Sequence, residues 1–192
     1  MVKRRNQALF DPISLTLNTG SYLEVTGTNG SGKTTLLRTL AGLYDQFDGT
    51  YQCAPSLYCG HRLGLDPLLS PLENLQWLLH LSDQSSLASS IDLLVNALNK
   101  VGLAPRGMDP VSTLSQGQQR RVAMAWWSLS KSSVWLLDEP LNALDNDGRA
   151  LVNSLISGQL ANNGIVICAS HLPLQIDGST SHLRLQAPRT AT

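Results

Sequence analysis

What this 192-residue chain lacks narrows its chemistry first. It carries no excess of charge: fourteen Lys and Arg balance fourteen Asp and Glu, for a formal net charge of zero at pH 7. No global electrostatic pull draws it to nucleic acid or acidic lipid, so no nucleic-acid partner is expected. The cluster Lys3-Arg4-Arg5 has no apolar core behind it and reads as a solvated end. Cysteine is scarce. Cys53, Cys59 and Cys168 form no C-x-x-C pair and no zinc spacing, and an odd count suits reduced, mostly buried thiols. No apolar run approaches the ~18–20 residues that span a bilayer, so work at a membrane requires a partner that anchors the chain. Internal repeats and low-complexity tracts are also missing.

What is present is concentrated in a few motifs. Length and a 42% hydrophobic content fit one globular domain with a proper core. Residues 27–34 read GTNGSGKT, a complete G-x-x-x-x-G-K-[ST] phosphate loop. Gly27, Gly30 and Gly32 let the backbone bend so that successive N–H groups face phosphate oxygens, with Thr28, Asn29 and Ser31 between them. Lys33 supplies a cation for the β- and γ-phosphates, and the Thr34 hydroxyl is a ligand for Mg²⁺. A strand over 22–26 and a helix from Thr35 to near Gly42 frame the loop, the order that makes an anion site at a helix N-terminus. The ligand expected is a nucleoside triphosphate.

Two further motifs fit the same chemistry. Ser115, in Leu114-Ser115-Gln116-Gly117-Gln118, stands where an N-cap belongs, before a helix expected to reach about Leu129. Gln116, Gly117 and Gln118 then expose N–H groups at that helix's positive end. Val134 to Leu137 are apolar and end in Asp138-Glu139-Pro140. This reads as a buried parallel strand delivering its acids at the carboxyl edge of a sheet. Asp138 suits the Mg²⁺ shell, and Glu139 suits orientation or deprotonation of an attacking water. After Asn142-Ala143-Leu144-Asp145 comes a helix over about 146–160, then an apolar strand over 165–169 ending at Ser170-His171. His171 should lie in the same sheet as the acids, where it would sense phosphate.

Elsewhere the reading is structural. Alternation over 13–17 suggests a half-buried strand, and 49–53 and 56–59 are short β-prone pieces. Residues 60–70 form a loop. Ser70, Pro71 and Glu73 spell a capping box with proline at the first helical position. A second helix is expected over 87–101, closed by Gly102. These helices are expected to form a small helical subdomain over about 70–115. Trp126 and Trp127 read as packing residues, and His80 and His182 as ordinary surface or satisfied side chains.

The order of phosphate loop, LSQGQ, LLDEP, NALD and His resembles the nucleotide-binding domain of ABC transporters, across essentially the whole chain. The resemblance implies an α/β fold of the P-loop NTPase class. Its parts would be a RecA-like parallel-sheet core, a small antiparallel β subdomain and the helical subdomain. It also implies ATP with Mg²⁺, and a homodimer that traps ATP between copies. Residues Gly27 to Thr35 of one copy would bind phosphates that Ser115 and Gly117 of the other contact. Glu139 becomes the catalytic carboxylate, Asp145 a D-loop residue and His171 the switch histidine.

Residues 29–43, 60–77, 114–125 and 134–145 together look closer still to the ATP-binding subunits of cytochrome c maturation exporters, which handle haem. His61 after Gly60 is the mark, because most ABC domains carry glutamine there. His61 would bind Mg²⁺ or water as neutral imidazole. This implies an integral membrane permease as partner and a peripheral place at the cytoplasmic face of an inner membrane, or on the matrix side of the mitochondrial one. No haem-ligand motif is present. Against the family pattern, the aromatic that would stack on adenine is missing, leaving Arg4 or Arg5 to offer a guanidinium. The chain is short over 49–56, and Gln116 replaces the first glycine of the commonest signature. Competing readings are an ABC subunit for another substrate, a soluble ABC protein, and a small-molecule P-loop kinase, which leaves LSQGQ unexplained.

Overall fold

The computed structural model describes residues 2–4, 7–82, 84–171, 174, 176 and 180–186. In chain order the strands are β1 Lys3–Arg4, β2 Gln7–Ala8, β3 Tyr22–Thr26, β4 Ser56–Cys59, β5 Val134–Asp138, β6 Ile165–Ala169 and β7 Thr180–Arg184. The helices are α1 Lys33–Leu40, α2 Pro71–Leu81, α3 Ser85–Ala88, α4 Ile91–Lys100, α5 Gln116–Leu129 and α6 Asn146–Ala161. Short 3₁₀ turns cover Ala104–Arg106 and Val111–Thr113. Among the described residues no helix is long and apolar enough to cross a membrane.

The chain divides into two compact units, one of residues 1–61, 132–140 and 156–192, the other of 62–131 and 141–155. The first holds a parallel sheet of order β4-β5-β6-β3-β7. β5 is buried throughout, as an apolar strand covered on both faces must be. Helix α1 packs against β5 and β6, and Leu37 joins Val25, Leu136, Ile167 and Ala169 in the core. Register is set by pairs such as Cys59 with Leu137, Asp138 with Ala169, and Val25 with Ala169. Because every strand runs the same way, Gly27, Gly60, Glu139 and Ser170 all leave the sheet at one edge. Cys59 and Cys168 share a row but flank β5, about 10 Å apart at ordinary strand spacing and beyond disulfide reach. Burial drives the Cys168 thiol and the Tyr22 hydroxyl well above their ordinary ranges, so both stay neutral.

The second unit is helical, with α2, α4 and α5 packed on one another. Ser70 caps α2 as its spacing predicts: the Glu73 N–H donates to Ser70 Oγ at 3.3 Å and the Ser70 N–H to Glu73 Oε2 at 2.8 Å. Gly102, at φ 73°, ends α4, and the Leu103 N–H reaches back to the Leu98 carbonyl at 2.8 Å.

Several expectations need correction. Residues 13–17 form no strand; Ile13 and Leu17 pack on the core while Leu15 stays 46% exposed. Their alternation reflects anchoring of an irregular segment that pairs with no strand among the described residues. Residues 49–53 also form no strand, and Tyr51 instead meets the ring of Phe47. The antiparallel pairing among described residues is β1 with β2, plus a single bridge between Val2 and Phe47. The helix expected over 87–101 is broken at Ser89-Ser90, where Ser89 Oγ bonds back to the Ser85 carbonyl at 3.1 Å. Helix α1 begins at Lys33 rather than Thr35.

Candidate functional site

The loop before α1 is shaped by what lies beneath it. A side chain on Gly27 would strike Ser31 Oγ at 2.5 Å and the Leu185 carbonyl at 2.9 Å. Gly32 holds φ 98° with the Phe10 ring 2.8 Å from where a Cβ would sit. Only glycine combines that close approach with the left-handed turn. Gly32 is also the N-cap of α1 and offers no side-chain oxygen, so the helix's first N–H groups remain for an anion. Lys33 is buried, and its Nζ donates to the carbonyls of Gly27 at 2.8 Å and Thr28 at 3.2 Å. Thr28, Asn29 and Gly30 form the exposed rim. Thr35 is half-buried, its carbonyl accepting from Thr39 Oγ1 at 2.9 Å. Ser31 Oγ is buried without a hydrogen-bond partner among the described residues, a polar atom that a phosphate oxygen or the loop's rearrangement around one would satisfy.

The sheet brings the acids to this loop. Thr34 Oγ1 donates to Asp138 Oδ2 at 2.7 Å across 104 residues of sequence, and Asp138 is only 3% exposed. A hydroxyl and a carboxylate in contact are hard oxygen donors suited to Mg²⁺, with nucleotide oxygens and water as the further donors it would need. Among the described residues no group of three or more His, Cys, Asp or Glu could hold a metal without such help. Glu139 turns out of the strand at φ 52°, its N–H tied to the Ala169 carbonyl at 2.7 Å. A non-glycine residue held there stores strain, as functional turns often do. Its carboxylate meets His171, whose N–H donates to Oε2 at 3.3 Å and whose Nε2 lies 3.5 Å from Oε1. Glu139 Oε1 is buried and has no hydrogen-bond partner among the described residues, so it is placed to accept a proton from water.

At the neighbouring strand end, the Tyr58 ring folds over Gly60. A Cβ there would lie 2.6 Å from the Tyr58 hydroxyl. Burial first, then the charge of Asp138, pushes the Tyr58 hydroxyl up to about 12. Gly60 before His61 thus has a steric reason that sequence reading missed. His61 itself is exposed and bonds to no described residue.

In the helical unit, Ser115 and Gln118 cap α5 reciprocally: the Gln118 N–H donates to Ser115 Oγ at 3.2 Å and the Ser115 N–H to Gln118 Oε1 at 2.9 Å. Gln116, Gly117 and Gln118 line a cavity of about 390 Å³ together with Ser115, Arg121 and residues 143–145. Asp145 Oδ1 accepts from the Gly148 N–H at 2.8 Å and from Arg121 Nη2 at 3.1 Å. Those two donors, the backbone one first, hold its carboxyl below the usual range. Asn74 is another residue that sequence reading left without a role. Fully buried, its carboxamide accepts from the Asp66 N–H at 2.7 Å and donates to the carbonyls of Asp66, Leu69 and Ser70. An asparagine on the apolar stripe of a helix was the available signal. Trp127 is fully buried, as a packing residue should be. His80 pairs with Ser85, and His182 with Glu24 across strands, each at 3.0 Å. Arg5 lies outside the described residues, as does the Arg4 side chain.

Known proteins share both pattern and fold. The family described as ABC transporter matches residues 10–142. The cytochrome c biogenesis ATP-binding export protein CcmA of Saccharophagus degradans is 38% identical, the match covering 91% of this chain and 85% of that one. The protein of the same name from Pseudomonas savastanoi is 41% identical, covering 88% and 84%. Among solved structures, a Pyrococcus furiosus chain described as an ABC transporter ATP-binding protein superposes with a TM-score of 0.76. It is 26% identical, covering 91% of this chain and 90% of its own. A metal-chelate type ABC transporter in an inward-facing conformation gives 0.72 at 26% identity, covering 91% and 72%. With motifs, fold and sequence in agreement, the chain belongs to the ABC transporter family, alongside the CcmA ATP-binding proteins.

Proposed function

We propose that this chain is the ATP-hydrolysing subunit of a cytochrome c biogenesis export system, working as a homodimer on a membrane permease that handles haem. The observation that carries hydrolysis is the buried Glu139 Oε1, without a hydrogen-bond partner among the described residues, held beside His171 and one residue from the Asp138–Thr34 contact. The identity of 38–41% to CcmA proteins supports the choice of system.

In this reading the whole chain is one ATP-binding domain. Gly27 to Thr35 cradle the phosphates through backbone N–H groups, and Lys33 leaves the loop carbonyls to meet β- and γ-oxygens. Thr34 and Asp138 would hold Mg²⁺, with His61 reaching its water shell; bound there, the ion offsets phosphate charge. Glu139 orients a water for in-line attack on the γ-phosphorus and takes its proton as the bond to the β-phosphate oxygen breaks and ADP leaves, and His171 fixes the Glu139 carboxylate and senses the γ-phosphate. Ser115, Gln116, Gly117 and Gln118 close the site held by the second copy, with Asp145 at the seam. Segment 60–81 relays the nucleotide state to the permease, the helices over about 70–115 serving as a subdomain. The chain then sits at the cytoplasmic face of the inner membrane, or its matrix-side equivalent, through that partner.

Glu139→Gln keeps the shape and removes the base. It should bind ATP normally, turn over at least ~10²-fold more slowly, and copurify from membranes with a small permease and haem-handling proteins. Hydrolysis at the native rate would reject Glu139 as the base, and a different permease would reject haem.

A further inference from the structure

We infer that Arg121 is a positioning residue that fastens segment 141–148 to helix α5, so that the signature residues and Asp145 approach a second copy as one body. This rests on the dimeric function proposed above.

Arg121 stands one turn after Gly117 on the same face of α5. Its two terminal nitrogens go to different elements. Nη1 donates to the Val101 carbonyl at the end of α4, and Nη2 donates to Asp145 Oδ1, each at 3.1 Å. The first bond aims the planar fork, and the second uses that aim. Asp145 is fixed from its other side by the Gly148 N–H at 2.8 Å. The loop also approaches the helix start closely at Gly117, where a Cβ would come within 2.9 Å of the Ala143 carbonyl. Ala143 itself holds φ 61°, a conformation that needs support from its surroundings.

Helix start and loop are thus in close approach at Gly117 and bonded one helical turn later at Arg121, around the cavity they share. The Asp145 side chain is 69% exposed against 22% for Arg121. Exposed ion pairs contribute little to global stability. The worth of this one is therefore the geometry it imposes.

The test uses Arg121→Gln and Arg121→Lys in the full chain, each alone and with Glu139→Gln. Amide exchange is read over 141–148 without nucleotide, and ATP-driven dimerisation is read by sedimentation. Arg121→Gln should speed exchange over 141–148 at least ~10-fold and weaken the ATP-bound dimer at least ~10-fold, about 1.4 kcal/mol. ATP affinity of the monomer should change less than about twofold. Arg121→Lys keeps the charge but lacks the fork and should match Arg121→Gln; full rescue by lysine overturns the fork. Unchanged exchange overturns the proposal outright. If Arg121→Gln does not fold, Arg121→Lys, which keeps a cation in the half-buried site but not the fork, carries the same exchange and dimer expectations. A Glu139→Gln parent that never dimerises with ATP sinks the function proposed above, while the exchange readout still decides Arg121.

Discussion

Thr34→Val removes one hydroxyl and leaves nearly the same volume, which makes it a clean probe of the cation site. The bond it breaks runs from Thr34 Oγ1 to Asp138 Oδ2 at 2.7 Å, onto a carboxylate that is 3% exposed. A hydrogen bond to a charged group contributes about 1.5–3 kcal/mol. For a chain of this size each kcal/mol moves Tm by about 2–4 °C. The nucleotide-free variant should therefore melt about 3–12 °C below the parent. Ligand adds a second measurement. ATP with Mg²⁺ at a hundred times its Kd stabilises by about 2.7 kcal/mol, or about 5–11 °C. Scanning calorimetry should show ATP alone raising Tm in parent and variant alike, while the further increment from Mg²⁺ disappears in Thr34→Val. Thr34→Ser should recover both. An unchanged nucleotide-free Tm would deny the Thr34–Asp138 bond in solution. An intact Mg²⁺ increment would remove Thr34 from the cation's shell.

Two more expectations follow from local geometry. Gly60→Ala puts a methyl against the Tyr58 hydroxyl and ring at 2.6–3.0 Å; overpacking of this kind costs about 1–3 kcal/mol. Chemical denaturation should show that loss in Gly60→Ala and most of it regained in Gly60→Ala with Tyr58→Leu; strictly additive effects would deny the contact. For pH, backbone N–H groups of Gly148 and Ser70 hold the Asp145 and Glu73 carboxyls below their ordinary range. A depressed carboxyl stabilises the fold above its unfolded pKa and loses that contribution as pH falls through the folded one. Both caps should stay closed down to pH ~5, and the Gly148 and Ser70 amide resonances should titrate below ~3.9 and ~4.3. Midpoints at or above those values would mean open caps.

Much of the chemistry was legible along the chain because it depends on neighbours in sequence. Residues 27–34 bend as glycine spacing requires, and the caps at Ser70 and Ser115 close with partners three residues away. Strands β5 and β6 announced themselves by unbroken apolar runs. The misreadings share a cause. Residues 13–17 have the pattern of a strand and no pairing partner among the described residues, whereas β7, polar in sequence, is a strand because β3 lies beside it. Pairing belongs to the partner as much as to the residue.

Local pattern therefore specified which groups this protein owns: a phosphate loop, a capped signature helix, two acids and a histidine. Which of them touch was settled by topology. Thr34 meets Asp138 across 104 residues because α1 packs on β5, and Glu139 meets His171 because β5 pairs with β6 in parallel. Tyr58 over Gly60, Asn74 within its loop and Arg121 on Asp145 have no linear signature either. Short-range backbone geometry is written in adjacent residues. Contacts between distant ones exist only after the sheet order and helix packing have chosen the neighbours.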